Sequence, residues 1–315
     1  VQYRIVSVIL FFLLSAAFAQ VPVVDRDPTL HTQQLLQQAR HSIGNPNLQS
    51  FSARAKVRRK VKYVEVTSPT EVEEKEKELT SKLKIEFVWP DKFRVREKGT
   101  QINGMGYEFT AIVNGTEAWI HPLPVVPSTP ENRRVVSVED AQQNLLRQAQ
   151  TARANISRFT LSWFLSSWST WPVEFAFAGR INTEAGVNDV LSVRDADGYK
   201  LLLLLDPTTR LPVMLNETLV MPQRVTVIPT GFGFDRRYNR AIFMKAREER
   251  TARFKPAQPI SIQLRLSERR NIGGLNLPHR FTTYHNGQQV EEIEFDDIKL
   301  NPPIHPKKFE ENRPR

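Results

Sequence analysis

The stretch KLKIEFVWPDKFRVRE, residues 82–97, decides the fold class. Leu83, Ile85, Phe87 and Trp89 recur at every second position, and the alternation resumes at Phe93 and Val95. A period of two places such a set on one face of a β-strand. Pro90 has no N–H to give a ladder, so it marks an edge or a bend. Working upstream, LQSFSARAKVRRKVKYVEV (48–66) repeats the pattern with Phe51, Ala53, Ala55 and Val57. An apparent switch near Arg58–Lys60, before Val61 and Tyr63, predicts a twist or bulge. The acidic run from Glu71 to Glu78 reads as a solvated hairpin extension or a short helix.

Working downstream, Asn114-Gly115 is a hairpin signal between the 109–113 and 118–120 strands. Further strands are expected at 173–180, 187–195, 198–205, 211–220, 223–228, 240–250, 258–268, 278–285 and 289–299. Turn signals at Asp197-Gly198, Asp206-Pro207 and Asn286-Gly287 separate several of them. Two segments have helical spacing instead. In 29–43, Leu35, Leu36, Ala39 and Ile43 share one face, with Thr29 as N-cap and Gly44 as stop. In 137–168, Leu145, Leu146, Ala149, Ala152, Ile156 and Phe159 lead to Trp163, Phe164, Leu165 and Trp168, and Pro172 ends the run. That last part is apolar almost all round, so it needs cover on more than one side. The fold class is α+β, mainly antiparallel: a large curved sheet or incomplete β-barrel lidded by helices.

Composition bounds the function. Of 315 residues, 40% are hydrophobic and 25% charged, which excludes wholesale disorder. Cysteine is absent, which excludes disulfides, thiol nucleophiles and Cys-ligated metals. Arg4 followed by the apolar run 5–14 and Ala17-Phe18-Ala19 reads as a cleaved secretory signal over 1–19. One domain is expected over 20–309 and a flexible tail over 310–315. With 44 basic against 34 acidic residues the formal charge is +10. For an exported protein without zinc-finger, RNP or helix-turn-helix context, that charge faces a membrane surface or an acidic partner, not nucleic acid. The basic surface from Arg236 to Lys255 reads as a solvated strand pair or a docking face.

No constellation argues for an enzyme, a metal or a cofactor. The six histidines lack metal-ligand spacing. Asp296 and Asp297 face opposite ways if they sit on a strand. Ser162, Ser166 and Ser167 lack the G-x-S-x-G context. Gly231-Phe-Gly233 is a turn-like element without a following helix signature. The aromatic residues are more telling. They form an ordinary core, or they also enclose an apolar cavity between a curved sheet and a helical lid.

Three stretches carry a resemblance: Trp89-Pro90-Asp91-Lys92-Phe93-Arg94, Val113-Asn114-Gly115-Thr116-Glu117-Ala118-Trp119, and Gly198 through Leu201–Leu205, Asp206-Pro207 and Leu211-Pro212-Val213. The last strands, from Leu277-Pro278-His279-Arg280 to Lys308-Phe309, add to it. Together they resemble the LolA-like outer-membrane lipoprotein-sorting proteins and their LolB and RseB-like relatives. The resemblance implies a helix-lidded half-barrel in the periplasm that shields acyl chains of lipoproteins or lipids without catalysis. It implies Phe87, Trp89, Phe93, Trp119, Phe175 and Phe177 as cavity lining, with Trp163, Phe164 and Trp168 under the lid. Where the sorting carrier has an arginine before the proline, this chain has Trp89. The implied partners are acyl chains, envelope proteins and a peripheral membrane surface, met by a monomer. The competing reading is an RseB-like sensor or protein-interaction module.

Overall fold

A computed structural model of the chain describes residues 28–44, 47–121, 138–166, 172–184, 186–196, 198–223 and 225–311. The expected signal segment, the 122–130 loop and Trp168 lie outside the described residues. Helix α1 (Pro28–Ile43) precedes five strands: β1 (Ser50–Val66), β2 (Val72–Val88), β3 (Lys92–Thr100), β4 (Gly106–Asn114) and β5 (Glu117–His121). Helix α2 (Val138–Phe164) separates them from β6 (Val173–Thr183), β7 (Gly186–Asp195), β8 (Lys200–Leu205), β9 (Pro212–Gln223) and β10 (Thr226–Pro229). Helix α3 (Arg236–Ala252), strands β11 (Lys255–Ile272), β12 (Leu275–His285) and β13 (Gln288–Leu300), and a 3₁₀ turn at Pro306–Phe309 complete the order.

The thirteen strands form one open, curved sheet, twelve of them in the order β5-β4-β3-β2-β1-β13-β12-β11-β9-β8-β7-β6, with β10 joining β1 off this path. It is antiparallel except for β10, which runs parallel to β1 over Tyr63–Val66, beyond the stretch that β13 covers. Register explains the core. Phe51 lies opposite Phe87, and Phe87 lies opposite Phe93, so three aromatic rings line up across β1, β2 and β3. The Phe51, Ala53, Ala55 and Val57 parity is buried and belongs to the main core. Leu35, Leu36, Ala39 and Ile43 of α1 and Ile156, Leu161 and Trp163 of α2 cover this inner face. Each fully buried side chain of this size contributes about 1.5–3 kcal/mol. The Arg40 guanidinium donates to the Leu165 carbonyl at 3.1 and 3.2 Å, tying α1 to the end of α2.

Several expectations need correction. The acidic run is the exposed outer part of the β1–β2 hairpin, so the hairpin extension holds and the short helix does not. Register sets Glu78 opposite Lys60 and Glu76 opposite Lys62, so its acids answer the basic run of β1. Near Arg58–Lys60 there is no bulge, because β1 pairs with β2 without a break from Ser50 to Val66. What changes is the covered face: Val64 and Val66, on the other parity, are buried from the outer side by Ile242 and Ala246 of α3. The register shift of β1 lies between Arg54 and Ala55, where Asp296 is the extra residue on β13.

The expected strand 240–250 is helical. Asp235 caps it, its carboxylate accepting from the Arg237 N–H at 2.7 Å and the Tyr238 N–H at 3.5 Å. Lys245–Glu249 and Glu249–Arg253 pair one turn apart, at 3.1 and 3.0 Å. Gly231-Phe-Gly233 is therefore followed by a helix after all. At the C-terminus Glu311 is held by Arg94 at 2.5 Å, so the polar tail starts docked.

Candidate functional site: a cavity under the second helix

The cavity is built by α2 above and the inner face below. Ala152, Asn155 and Phe159 of α2 fall on one helical face at i, i+3 and i+7. They look down on Leu83, Phe93, Val95, Phe109, Ala111, Leu264, Phe281 and Ile293 from six strands. The cavity, open on one side, has a volume of about 300 Å³, the lower end of the range for small-molecule sites. A shallower hollow of about 400 Å³ begins at Arg59 and reaches Thr226–Pro229 of β10, so Arg59 borders both spaces.

Charge is confined to one end. Arg59 follows Phe51–Val57 in parity, so its guanidinium lies on the inner face, whereas Arg58 points outward to Glu292 and Glu294. Arg59 donates to both oxygens of Glu97 (2.9 Å to Oε2), to Glu291 at 2.5 Å and to the Tyr107 hydroxyl at 3.2 Å. The Ser81 and Tyr107 hydroxyls each donate to Glu97 Oε1 at 2.6 Å. Burial pushes the Glu97 carboxyl up, but the hydrogen bonds and charge of Arg59, with the two hydroxyls, bring it below the usual carboxylate range. Tyr107 is pushed up by burial and by Glu97.

Arg158 of α2, also on the lining, pairs with the buried Glu217 of β9. Here burial wins, and Glu217 is raised despite the opposing charge of Arg158. Arg158 Nε and Glu217 Oε2 are buried without a hydrogen-bond partner. The lining thus sets Arg59 and Arg158 against Glu97 and Glu291, and both cations are committed to carboxylates.

The residues expected to line the cavity separate into four places. Phe93 borders it. Phe87, Trp89, Trp163 and Phe164 fill the neighbouring core: Phe87 lies 4.7 Å from Phe93, and Trp163 lies 4.9 Å from Phe51 and from Phe295 between ring centroids. Trp89 and Phe164 meet edge-on at 5.2 Å. Phe175 and Phe177 sit half-buried on β6, at the far margin of the sheet, with Phe177 edge-on to His31 of α1 at 4.4 Å.

Trp119 is a correction. Ala118 and Ile120 turn inward on β5, so Trp119 turns outward, packs with Ile112 and Phe309, and donates to the Glu311 carbonyl at 3.0 Å. The sequence reading passed over Arg59, Glu97, Glu291, Arg158 and Glu217. Strand parity with Phe51–Val57 was the one available signal for Arg59. The pairings themselves are long-range and leave no local mark.

No family model matches the chain, and no curated protein matches it. Among solved structures it is similar to a LolA superfamily protein from Nitrosomonas europaea, with 14% identity over 88% of this chain and 96% of that one, at a TM-score of 0.43. It is also similar to a putative outer membrane lipoprotein-sorting protein domain from Vibrio parahaemolyticus, with 11% identity over 90% and 97%, at 0.44. A DUF1329 family protein from Desulfovibrio piger gives 9% identity over 90% and 98%, at 0.36. Two of these carry the family name that the sequence resembles, and at this distance they assign this chain no ligand.

Proposed function

We propose that the protein is a non-catalytic carrier that shelters an acyl chain joined to an uncharged polar head, in transit through the periplasm of a cell envelope. The observation that supports this is the cavity under α2, lined mainly by apolar side chains and bordered by the paired charges of Arg59, Glu97, Glu291 and Arg158. An acyl chain gains about 0.8 kcal/mol for each methylene taken out of water. At the head, an ester, amide or hydroxyl can hydrogen-bond to Asn155, Thr283 or the paired carboxylates. A free carboxylate or phosphate meets the Glu97 and Glu291 carboxylates there, and each arginine already pairs with a carboxylate. Phe93, Phe159 and Phe281 touch the chain in this reading, and Phe87 and Trp163 form the rigid wall behind it.

The test is binding of monopalmitoylglycerol and of palmitate at neutral pH, read by native mass spectrometry on detergent-free protein. The glycerol ester is expected to bind about tenfold more tightly, which corresponds to about 1.4 kcal/mol. Ala111→Phe and Ala152→Phe, which fill the space, abolish binding while the protein stays folded by circular dichroism. Equal affinity for both ligands removes the proposed head-group selectivity. Failure of either to bind removes the carrier reading.

A further inference from the structure

Six of the eleven exposed large hydrophobic side chains among the described residues fall within 23 residues: Phe232, Phe234, Tyr238, Phe243, Met244 and Phe254. Every exposed phenylalanine of the described chain is among them, and Phe234 is fully exposed, at 109%. They belong to α3 and the loop entering it. The inner side of α3 is already satisfied by Val64, Val66 and Val227, so these residues are surplus to the core.

The loop is held in place rather than left to collapse. Gly231 adopts φ +74°, and a Cβ there would lie 2.1 Å from the Thr67 carbonyl oxygen, so only glycine permits this approach. The Thr230 N–H donates to the Val66 carbonyl at 2.8 Å. Asn239 accepts from the Gly233 N–H at 2.9 Å and donates to the Gly233 carbonyl at 2.8 Å. Phe232 lies against Phe243 at 5.0 Å between centroids. Phe234 thus projects from a braced loop.

The charges are arranged to match. Arg236, Arg240, Phe243, Met244 and Arg247 share one exposed helix face at i, i+4, i+7, i+8 and i+11. Both acids of the helix, Glu248 and Glu249, are taken up by Lys245 and Arg253. Arg236, Arg237, Arg240 and Arg247 form no ion pair among the described residues. The apolar side chains stand exposed on α3 and its entry loop. Aromatic side chains interleaved with free guanidinium groups suit the boundary between acyl chains and phosphates in a bilayer.

We propose that α3 and its entry loop dock the protein on an anionic lipid bilayer, with Phe232, Phe234 and Met244 entering the interface and the four arginines contacting lipid phosphates. Docking there would also bring β10, one end of the hollow that begins at Arg59, close to the membrane. The experiment is co-sedimentation of the full chain with vesicles of phosphatidylcholine containing phosphatidylglycerol, and with phosphatidylcholine alone. Binding is expected only to the anionic vesicles, and is lost at about 1 M salt, where charges are screened beyond roughly 3 Å.

Arg240→Gln and Arg247→Gln each weaken binding about fivefold, the effect of one basic residue near such a surface. Phe234→Ser weakens it further. These positions are exposed, so the variants fold, and their binding of monopalmitoylglycerol stays unchanged. Absence of vesicle binding overturns the proposal, as does vesicle binding that all three variants retain. Because the lipid-cavity assay is separate, failure here leaves the carrier reading standing, and the reverse holds too.

Discussion

Trp163→Ala is expected to lower the free energy of unfolding by about 3–5 kcal/mol, the range for removing a large buried aromatic side chain. Trp163 is fully buried at the point where α2 meets the sheet. Its ring lies within 6.2 Å of Phe51, Phe87, Phe159, Phe281 and Phe295 between centroids, and its Nε1–H donates to the Pro278 carbonyl at 3.3 Å. Truncation leaves a void among rings that belong to four different strands and to α2 itself, and these cannot all move inward together. It also leaves a buried carbonyl without its donor, a further reason to expect the upper part of the range. Urea unfolding followed by circular dichroism checks this. A loss below about 1 kcal/mol would mean that the end of α2 is not anchored here, and that the cavity beneath its preceding turns has no fixed roof.

Arg59→Met is the second. It strips the buried Glu97 and the partly buried Glu291 of their cation while keeping the aliphatic stem. Removing one partner of a buried pair costs about 3–5 kcal/mol. Because the Arg59 side chain is itself 34% exposed, the lower end is expected at neutral pH. The pH dependence carries the sign. In the natural protein Glu97 sits below its unfolded value. Its contribution is therefore complete above about pH 4.3 and is lost as pH falls through the folded pKa.

Without Arg59, burial is opposed by the Ser81 and Tyr107 hydroxyls only, and the folded pKa is expected to rise above the unfolded one. The variant then has its full stability below about pH 4.3 and loses it as pH rises through the new value. The gap between the two proteins should be widest at neutral pH and narrow toward pH 4. Urea unfolding at both pH values decides it: an equal gap at each would show that Glu97 keeps its charge compensated by another route.

How much of this could be read along the chain depended on whether a signal was local. Helix α1 was legible because its face repeats within the segment itself, and Leu35, Leu36, Ala39 and Ile43 are the residues it buries. Asn114-Gly115 and Asn286-Gly287 were legible because their left-handed backbone, φ +62° at Gly115 and +81° at Gly287, needs those residue types. Helix α3 was misread because Ile242, Phe243 and Met244 are adjacent and resemble a strand. Its real periodicity buries only Ile242 and Ala246 and leaves the other two exposed.

By itself, then, the sequence determined the class of structure: a mainly antiparallel sheet, two covering helices and an aromatic core between them. Alternation and turn chemistry act over a few residues and are encoded where they act. Tertiary structure alone decided which face of a strand is covered and by what. Trp119 and Phe93 carry similar strand signals, yet one packs outward under the 3₁₀ turn and the other borders the cavity. Tertiary structure also decided the charge at the cavity's end. Arg59, Glu97 and Glu291 come from β1, β3 and β13, and only the register of the intervening strands brings them together.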